Sequence, residues 1–300
     1  MFIGRERTTD SGTCSQIPHS KRLPNSISSA GGNLELFTLA IANQKGGIGK
    51  TTTATALSYA LAQAGKTVLL VDMDPQASTT GTIMGPDFEP DKHVYDVMTD
   101  PEQIGHAIYE SPYPNLYMLP STILLSAAEL TLQAQMGRES KLRFVLENLS
   151  ETGLNPDLIL IDTPPSLGVL TVNSLVAADS ILIPMEPDAY SLRGIEQLLD
   201  TVNMIRRNRL NTTLDVLGVL VTNVDARRTI TEELIQEIKD FFGPGLVLPL
   251  TIRQDAQVAY AARAGQPIGH YNPKSTAAQS YAELAQEVIT RVQARANEVA

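Results

Sequence analysis

Short apolar runs alternate along this chain with stretches whose apolar residues recur at helical spacing. "LFTLAIA" (36–42) leads into a glycine-rich segment. "KTTTATALSYALAQAG" follows, with Ala54, Leu57, Ser58 and Leu61 in helical register and Gly65 placed as a C-cap. "TVLLVDMD" (67–74) and "DLILIDTPP" (157–165) are apolar runs that end in acids. "SILIPMEP" (180–187), "LDVLGVLVTNVD" (214–225) and "GLVLPL" (245–250) complete the set. Runs apolar at every position, joined by helices, predict an α/β fold. The expected architecture is a doubly wound, mostly parallel sheet with helices on both faces. Every run then ends on the sheet's carboxyl edge, where open α/β sheets bind ligands. No internal repeat is evident beyond the alternation itself.

Residues 1–34 break the pattern. They are rich in Ser, Thr, Gly and Pro, without hydrophobic period, and predict a disordered tail ahead of one domain over 35–300. The tail carries Arg5, Arg7, Lys21 and Arg22 against Glu6 and Asp10. It reads either as a weak DNA-touching arm or as a plain spacer.

Composition narrows the classes. Of 300 residues, 43% are hydrophobic, enough for a large core. The formal charge is -10, so any contact with nucleic acid has to come from a local patch. Cys14 is the single cysteine, which excludes a disulfide framework and a cysteine-rich cluster within one chain. There is no run of 18 apolar residues and no apolar signal core near residue 1, so a soluble cytoplasmic protein with no membrane partner is expected.

The candidate chemistry sits in "IANQKGGIGKTT" (41–52). A phosphate-binding loop reads G-x-x-x-x-G-K-[ST], and Gly49, Lys50 and Thr51 supply its end. Its first glycine would fall on residue 44, which is Gln44, followed by an additional lysine, Lys45. Gly46, Gly47 and Gly49 let the backbone turn N–H groups toward phosphate oxygens, and the following helix adds its positive end. Gly46, Gly47, Ile48, Gly49, Lys50, Thr51 and Thr52 are therefore candidate phosphate ligands. Lys50 is expected on the β- and γ-phosphates and the Thr51 hydroxyl on Mg²⁺. Asp162 is the candidate for a metal-bound water, with a helix N-cap as its plain alternative. Asp72 and Asp74 end the strand after the loop helix, and Asp74 is preferred as the acid that orients attacking water.

"KGGIGKTTT", "VLLVDMDPQAS" and "LILIDTPPSLG", in this order, resemble the deviant Walker A ATPases of the ParA/Soj chromosome- and plasmid-partitioning family. The likeness extends from about residue 36 to about residue 290 and takes in "GVLVTNVDAR" and the segment from Ile252 to Val288. The resemblance implies a Mg-ATP-dependent homodimer in which Lys45 reaches the partner's nucleotide. Asp74 then acts as the water-orienting acid, and Lys45 and Asp74 together are catalytic. Asn223 and Pro249 are implied at the adenine. It also implies non-specific DNA binding by the ATP dimer, weak basal hydrolysis, a ParB-like centromere-binding activator and nucleoid association. Candidate DNA contacts are Arg227, Arg228, Arg253, Arg263 and Lys274, and "RRNR" (206–209) is a further basic cluster that reads equally well as a helix end. Gln257 and Tyr260 stand where related sequences often carry arginine and glutamate.

Three other readings use the same engine. Close relatives position other cargo, such as protein organelles or chemoreceptor arrays. A MinD-type membrane ATPase needs an amphipathic C-terminal helix, whereas "VITRVQARANEVA" offers small apolar groups and only Arg291 and Arg295. A nitrogenase-iron-protein-like reductase needs cysteines that the body lacks. A non-catalytic, nucleotide-gated DNA-binding module is a further class.

Overall fold

The computed structural model describes residues 36–188, 191–225 and 230–299. The tail and Cys14 lie outside them. In chain order the elements begin with β1 (Phe37–Ile41), α1 (Lys50–Gln63), β2 (Val68–Asp72), α2 (Ser78–Met84), α3 (Val94–Thr99) and α4 (Ile104–Ala107). Next come β3 (Tyr109–Glu110), β4 (Leu116–Leu119), α5 (Leu125–Gln133), α6 (Lys141–Glu147), β5 (Leu158–Asp162) and α7 (Val169–Ala177). The chain closes with β6 (Ser180–Met185), α8 (Ser191–Arg207), β7 (Asp215–Val224), α9 (Ile230–Phe242), β8 (Val247–Arg253), α10 (Ala256–Arg263), α11 (Ile268–Tyr271) and α12 (Thr276–Val299).

The strands form one sheet in the order β3-β4-β2-β5-β1-β6-β7-β8. All neighbours are parallel except β3 and β4. The doubly wound expectation holds, with two additions. β3 and β4 were not predicted, because two- and four-residue strands give almost no periodic signal. The last strand lies at Val247–Arg253 rather than 245–250.

β2, β5 and β6 are buried at every position, which is why they read as unbroken apolar runs. Alternate residues feed opposite cores. Leu39 and Ile41 pack with α1, α2 and α10–α12, while Ala40 and Ala42 face the side covered by α3 and α5–α8. Helix α1 ends in a Schellman turn: Lys66 N–H donates to Leu61 and Gly65 N–H to Ala62, with Gly65 at φ +83°. Its buried side meets α12, where the Thr53 and Tyr281 hydroxyls lie 3.1 Å apart.

Register sets up the site. Ile41 pairs with Asp162 across β1–β5, and Asp72 pairs with Asp162 across β2–β5. The exit of β1 and two buried acids therefore share one row of the sheet's carboxyl edge.

Candidate active site

The chain leaves β1 through Asn43, whose amide nitrogen donates to Pro184 and whose Oδ1 accepts the Lys45 N–H at 3.1 Å. Gly47 and Gly49 stand at φ +78° and +86°, a region other residues enter only with strain. The Ile48 side chain is buried, and its carbonyl accepts the Thr222 hydroxyl, anchoring the loop to β7. Beneath the loop opens a cleft of about 310 Å³, lined by Gly46, Gly47, Gly49, Lys50, Thr51 and Thr52, with Asp74, Pro165 and Asn223 on its walls.

The two lysines are held differently. Lys50 is 7% exposed, and its ammonium donates to the Lys45 carbonyl at 2.9 Å. Burial lowers its pKa, with Asp162 and Asp74 opposing. The Lys45 side chain is 39% exposed and pairs with Asp188 and, at 3.4 Å, with Glu186. Burial by itself would lower its pKa, but the hydrogen bond and charge of Asp188, with Glu186 behind, raise it.

Asp162 is fully buried. Its Oδ2 accepts the hydroxyls of Thr51 at 2.9 Å and Thr79 at 2.6 Å, while Oδ1 has no hydrogen bond among the described residues. An orphaned buried carboxylate oxygen costs about 1–3 kcal/mol unless something pairs with it. No helix starts at Asp162; α7 begins at Val169 with Gly168 as its cap, and the N-cap alternative is set aside. Asp72 is also fully buried, with Oδ1 accepting the Asp74 N–H and Oδ2 accepting Thr80. Burial first, then the neighbouring Asp162 charge, pushes Asp72 up to about 7; burial pushes Asp162 up to about 6. Of the two strand-end acids, Asp74 is the one lining the cleft.

Thr51 and the free oxygen of Asp162 are hard oxygen donors that suit Mg²⁺. Among the described residues no group of three or more His, Cys, Asp or Glu could hold a metal.

A family model described as an AAA domain matches residues 37–216. The sporulation initiation inhibitor protein Soj of Bacillus subtilis is 41% identical over 250 residues, covering 83% of this chain and 97% of that protein. The chain belongs to the ParA/Soj family. The chromosome partitioning protein ParA of Caulobacter vibrioides is 38% identical over 257 residues, 85% of this ParA/Soj chain and 95% of that protein. Among solved structures, cobyrinic acid a,c-diamide synthase from Mycobacterium smegmatis with bound ATP analog and magnesium superposes with TM-score 0.71 at 33% identity. That match covers 84% of this chain and 93% of the synthase.

The outer ParA/Soj candidates scatter more widely. Asn223 reaches the cleft at φ +52° and hydrogen-bonds Glu186, but Pro249 sits exposed on the edge strand, outside the cleft lining. Arg253, Arg263 and Lys274 are exposed, whereas Arg227 and Arg228 fall outside the described residues. Asp255 caps α10 and also accepts Thr276 and Ala277 from α12, so the stretches bearing Arg253 and Lys274 lie side by side. Gln257 accepts Asn272 at 3.4 Å, an internal contact. In "RRNR", Arg206 donates to Leu214 and Asp215 at the start of β7, the edge opposite the cleft. This is the structural reading for that residue. No described helix is long and apolar enough to cross a membrane, and Leu284, Ala285, Val288 and Val292 of α12 are spent in the core.

Sequence reasoning missed Thr79, Thr80, Glu186 and Asp188. The threonines lie in "QASTTGT", directly after the Asp74 motif, and the two acids end the β6 run.

Proposed function

We propose that this chain is an ATP-dependent DNA-partitioning ATPase. It binds Mg-ATP in the cleft and closes with a second copy into an ATP-bound dimer. The dimer binds DNA without sequence preference and hydrolyses ATP when a ParB-like centromere-binding protein stimulates it. The cargo is a chromosome or plasmid. The observation that carries this reading is the convergence on one cleft of Lys50, the Thr51–Asp162 pair and Asp74, with Lys45 beside it but outside its lining. The relatedness to Soj and ParA supports the partitioning role.

Each residue has a task that its setting suits. Lys50, shielded and charged, sits against phosphate in place of the Lys45 carbonyl. Thr51 directly, and Asp162 through a bound water, would hold Mg²⁺, which neutralises phosphate charge when bound. Asp74 orients a water. Lys45 supplies a cation from the second copy, so that closure and chemistry depend on each other, as with an arginine finger given in trans. Arg253, Arg263 and Lys274, doubled by dimerisation, offer phosphate contacts that a monomer of charge -10 lacks. The spent apolar face of α12 weighs against the membrane alternative.

Phosphate release measured with Mg-ATP alone, with duplex DNA, and with DNA plus a centromere-binding protein tests the reading. Slow basal turnover that rises at the last step is expected. No release under any condition would overturn it.

A further inference from the structure

Helix α2 opens with two consecutive buried threonines, each bonded to a different buried carboxylate. Thr79 donates its hydroxyl to Asp162 Oδ2, the oxygen that also accepts Thr51. Thr80 donates both its N–H, at 2.9 Å, and its hydroxyl, at 2.8 Å, to Asp72 Oδ2. The other Asp72 oxygen takes the Asp74 N–H at 3.0 Å. The Thr80 hydroxyl in turn accepts the Ser121 N–H at 2.9 Å, from the segment between β4 and α5. Thr79 is 0% exposed and Thr80 3%, so water does not substitute for these bonds.

On its N-terminal side, buried Met73 donates its N–H to the Asp162 carbonyl; beyond that, Asp74 itself makes few other hydrogen bonds. Its carbonyl accepts the Ala77 N–H, and its own carboxylate accepts the Gln76 N–H. Both are contacts within its own turn, and that turn runs into α2 through Ala77, a non-glycine residue at φ +53°. The tie from Asp74 to the body of the protein through a side chain is Asp72, and Asp72 is fixed by Thr80. A hydroxyl shared between one acceptor and one donor has a defined direction, so Ser121 orients the Thr80 hydroxyl toward Asp72, and the Asp72 carboxylate accepts from Thr80 on one oxygen and from the Asp74 N–H on the other.

We propose that Thr80 is a positioning residue for ATP hydrolysis: through Asp72 it fixes the main chain of Asp74 and so the placement of the attacking water. This rests on the reading of Asp74 as the water-orienting acid. Neither Thr80 nor Asp72 lines the cleft, so their loss should leave nucleotide affinity intact and slow the chemical step.

The test compares Thr80→Val, which keeps shape and loses the hydroxyl, with Thr80→Ser, which keeps it. The readouts are affinity for a fluorescent ATP analogue and single-turnover hydrolysis of Mg-ATP by the full chain with duplex DNA present. Thr80→Val should slow turnover about 10–100-fold while affinity changes less than about threefold, and Thr80→Ser should return most of the rate. Wild-type turnover in Thr80→Val would overturn the proposal. So would loss of affinity in parallel with rate, or a Thr80→Ser variant as slow as Thr80→Val. Asp74→Ala is run alongside. If it hydrolyses normally, the reading of Asp74 fails, and that failure is visible separately from the behaviour of Thr80.

Discussion

Lys45 is ion-paired to Asp188 of its own chain, with Glu186 as a second acceptor. The lysine that the proposed function sends to another subunit is thus already held at home. Asp188 also accepts the Ser191 hydroxyl at the start of α8, and Glu186 binds Asn223 at the cleft wall. A dimer closed through Lys45, as proposed, would have to break its pairs with Asp188 and Glu186.

Asp188→Asn should therefore favour dimerisation. The pair is partly exposed, so the effect is modest, about two- to fivefold in the protein concentration at which Mg-ATP dimers appear by light scattering. An unchanged or higher concentration would mean that the contact does not oppose closure.

Lys50→Ala should abolish nucleotide binding. The lysine is buried in the cleft with the carbonyl of Lys45 as its partner, a position that phosphate oxygens are built to take. Titration of a fluorescent ATP analogue should show affinity weakened by about 100-fold or more, since a buried charge-assisted contact is worth about 3 kcal/mol. Retained affinity would displace phosphate from this loop.

The buried acids predict a pH dependence of the metal-free protein. Asp72 is held up to about 7 and Asp162 to about 6, against an ordinary 3.8. Between the ordinary and the raised values the folded chain keeps protons that the unfolded chain has released. Stability therefore falls as pH rises through that window and levels off above it. Asp72→Asn removes one of the two groups. In EDTA, the melting temperature of the wild type minus that of Asp72→Asn should drop by about 2 °C or more between pH 5 and pH 8. A constant or rising difference would contradict a raised Asp72.

How far the sequence was legible depends on distance along the chain. The phosphate loop, its strand and its helix are contiguous, so spacing alone located Gly47, Gly49, Lys50 and Thr51. The apolar runs of β2 and β5 carried Asp72 and Asp162 with them, because full burial leaves no polar position to blur the pattern. Lys45 and Asp188 are 143 residues apart, and Thr79 and Asp162 are 83 apart. Nothing local distinguishes those partners from other acids and hydroxyls. On β8 the pairing with β7 slips around Pro249, so neither the strand's limits nor the facing of that proline followed from a simple alternation.

DNA binding should depend on nucleotide and salt. With Arg253, Arg263 and Lys274 presented twice by an ATP dimer, gel shifts on unrelated duplexes should require ATP rather than ADP and weaken steeply with salt. Mutating all three to alanine should reduce the salt slope of log affinity by roughly two or more units. Equal binding in ADP, or a strong preference for one sequence, would contradict this.

The central claim is that Lys45 works on a second subunit's nucleotide, and Lys45→Ala tests it most directly. Dimerisation by light scattering and hydrolysis of Mg-ATP are measured on the variant, together with its affinity for a fluorescent ATP analogue. The account predicts affinity within about tenfold of wild type, held by Lys50 and the loop amides, with no ATP-dependent dimer and no turnover. A Lys45→Ala protein that dimerises and hydrolyses like the wild type would contradict it.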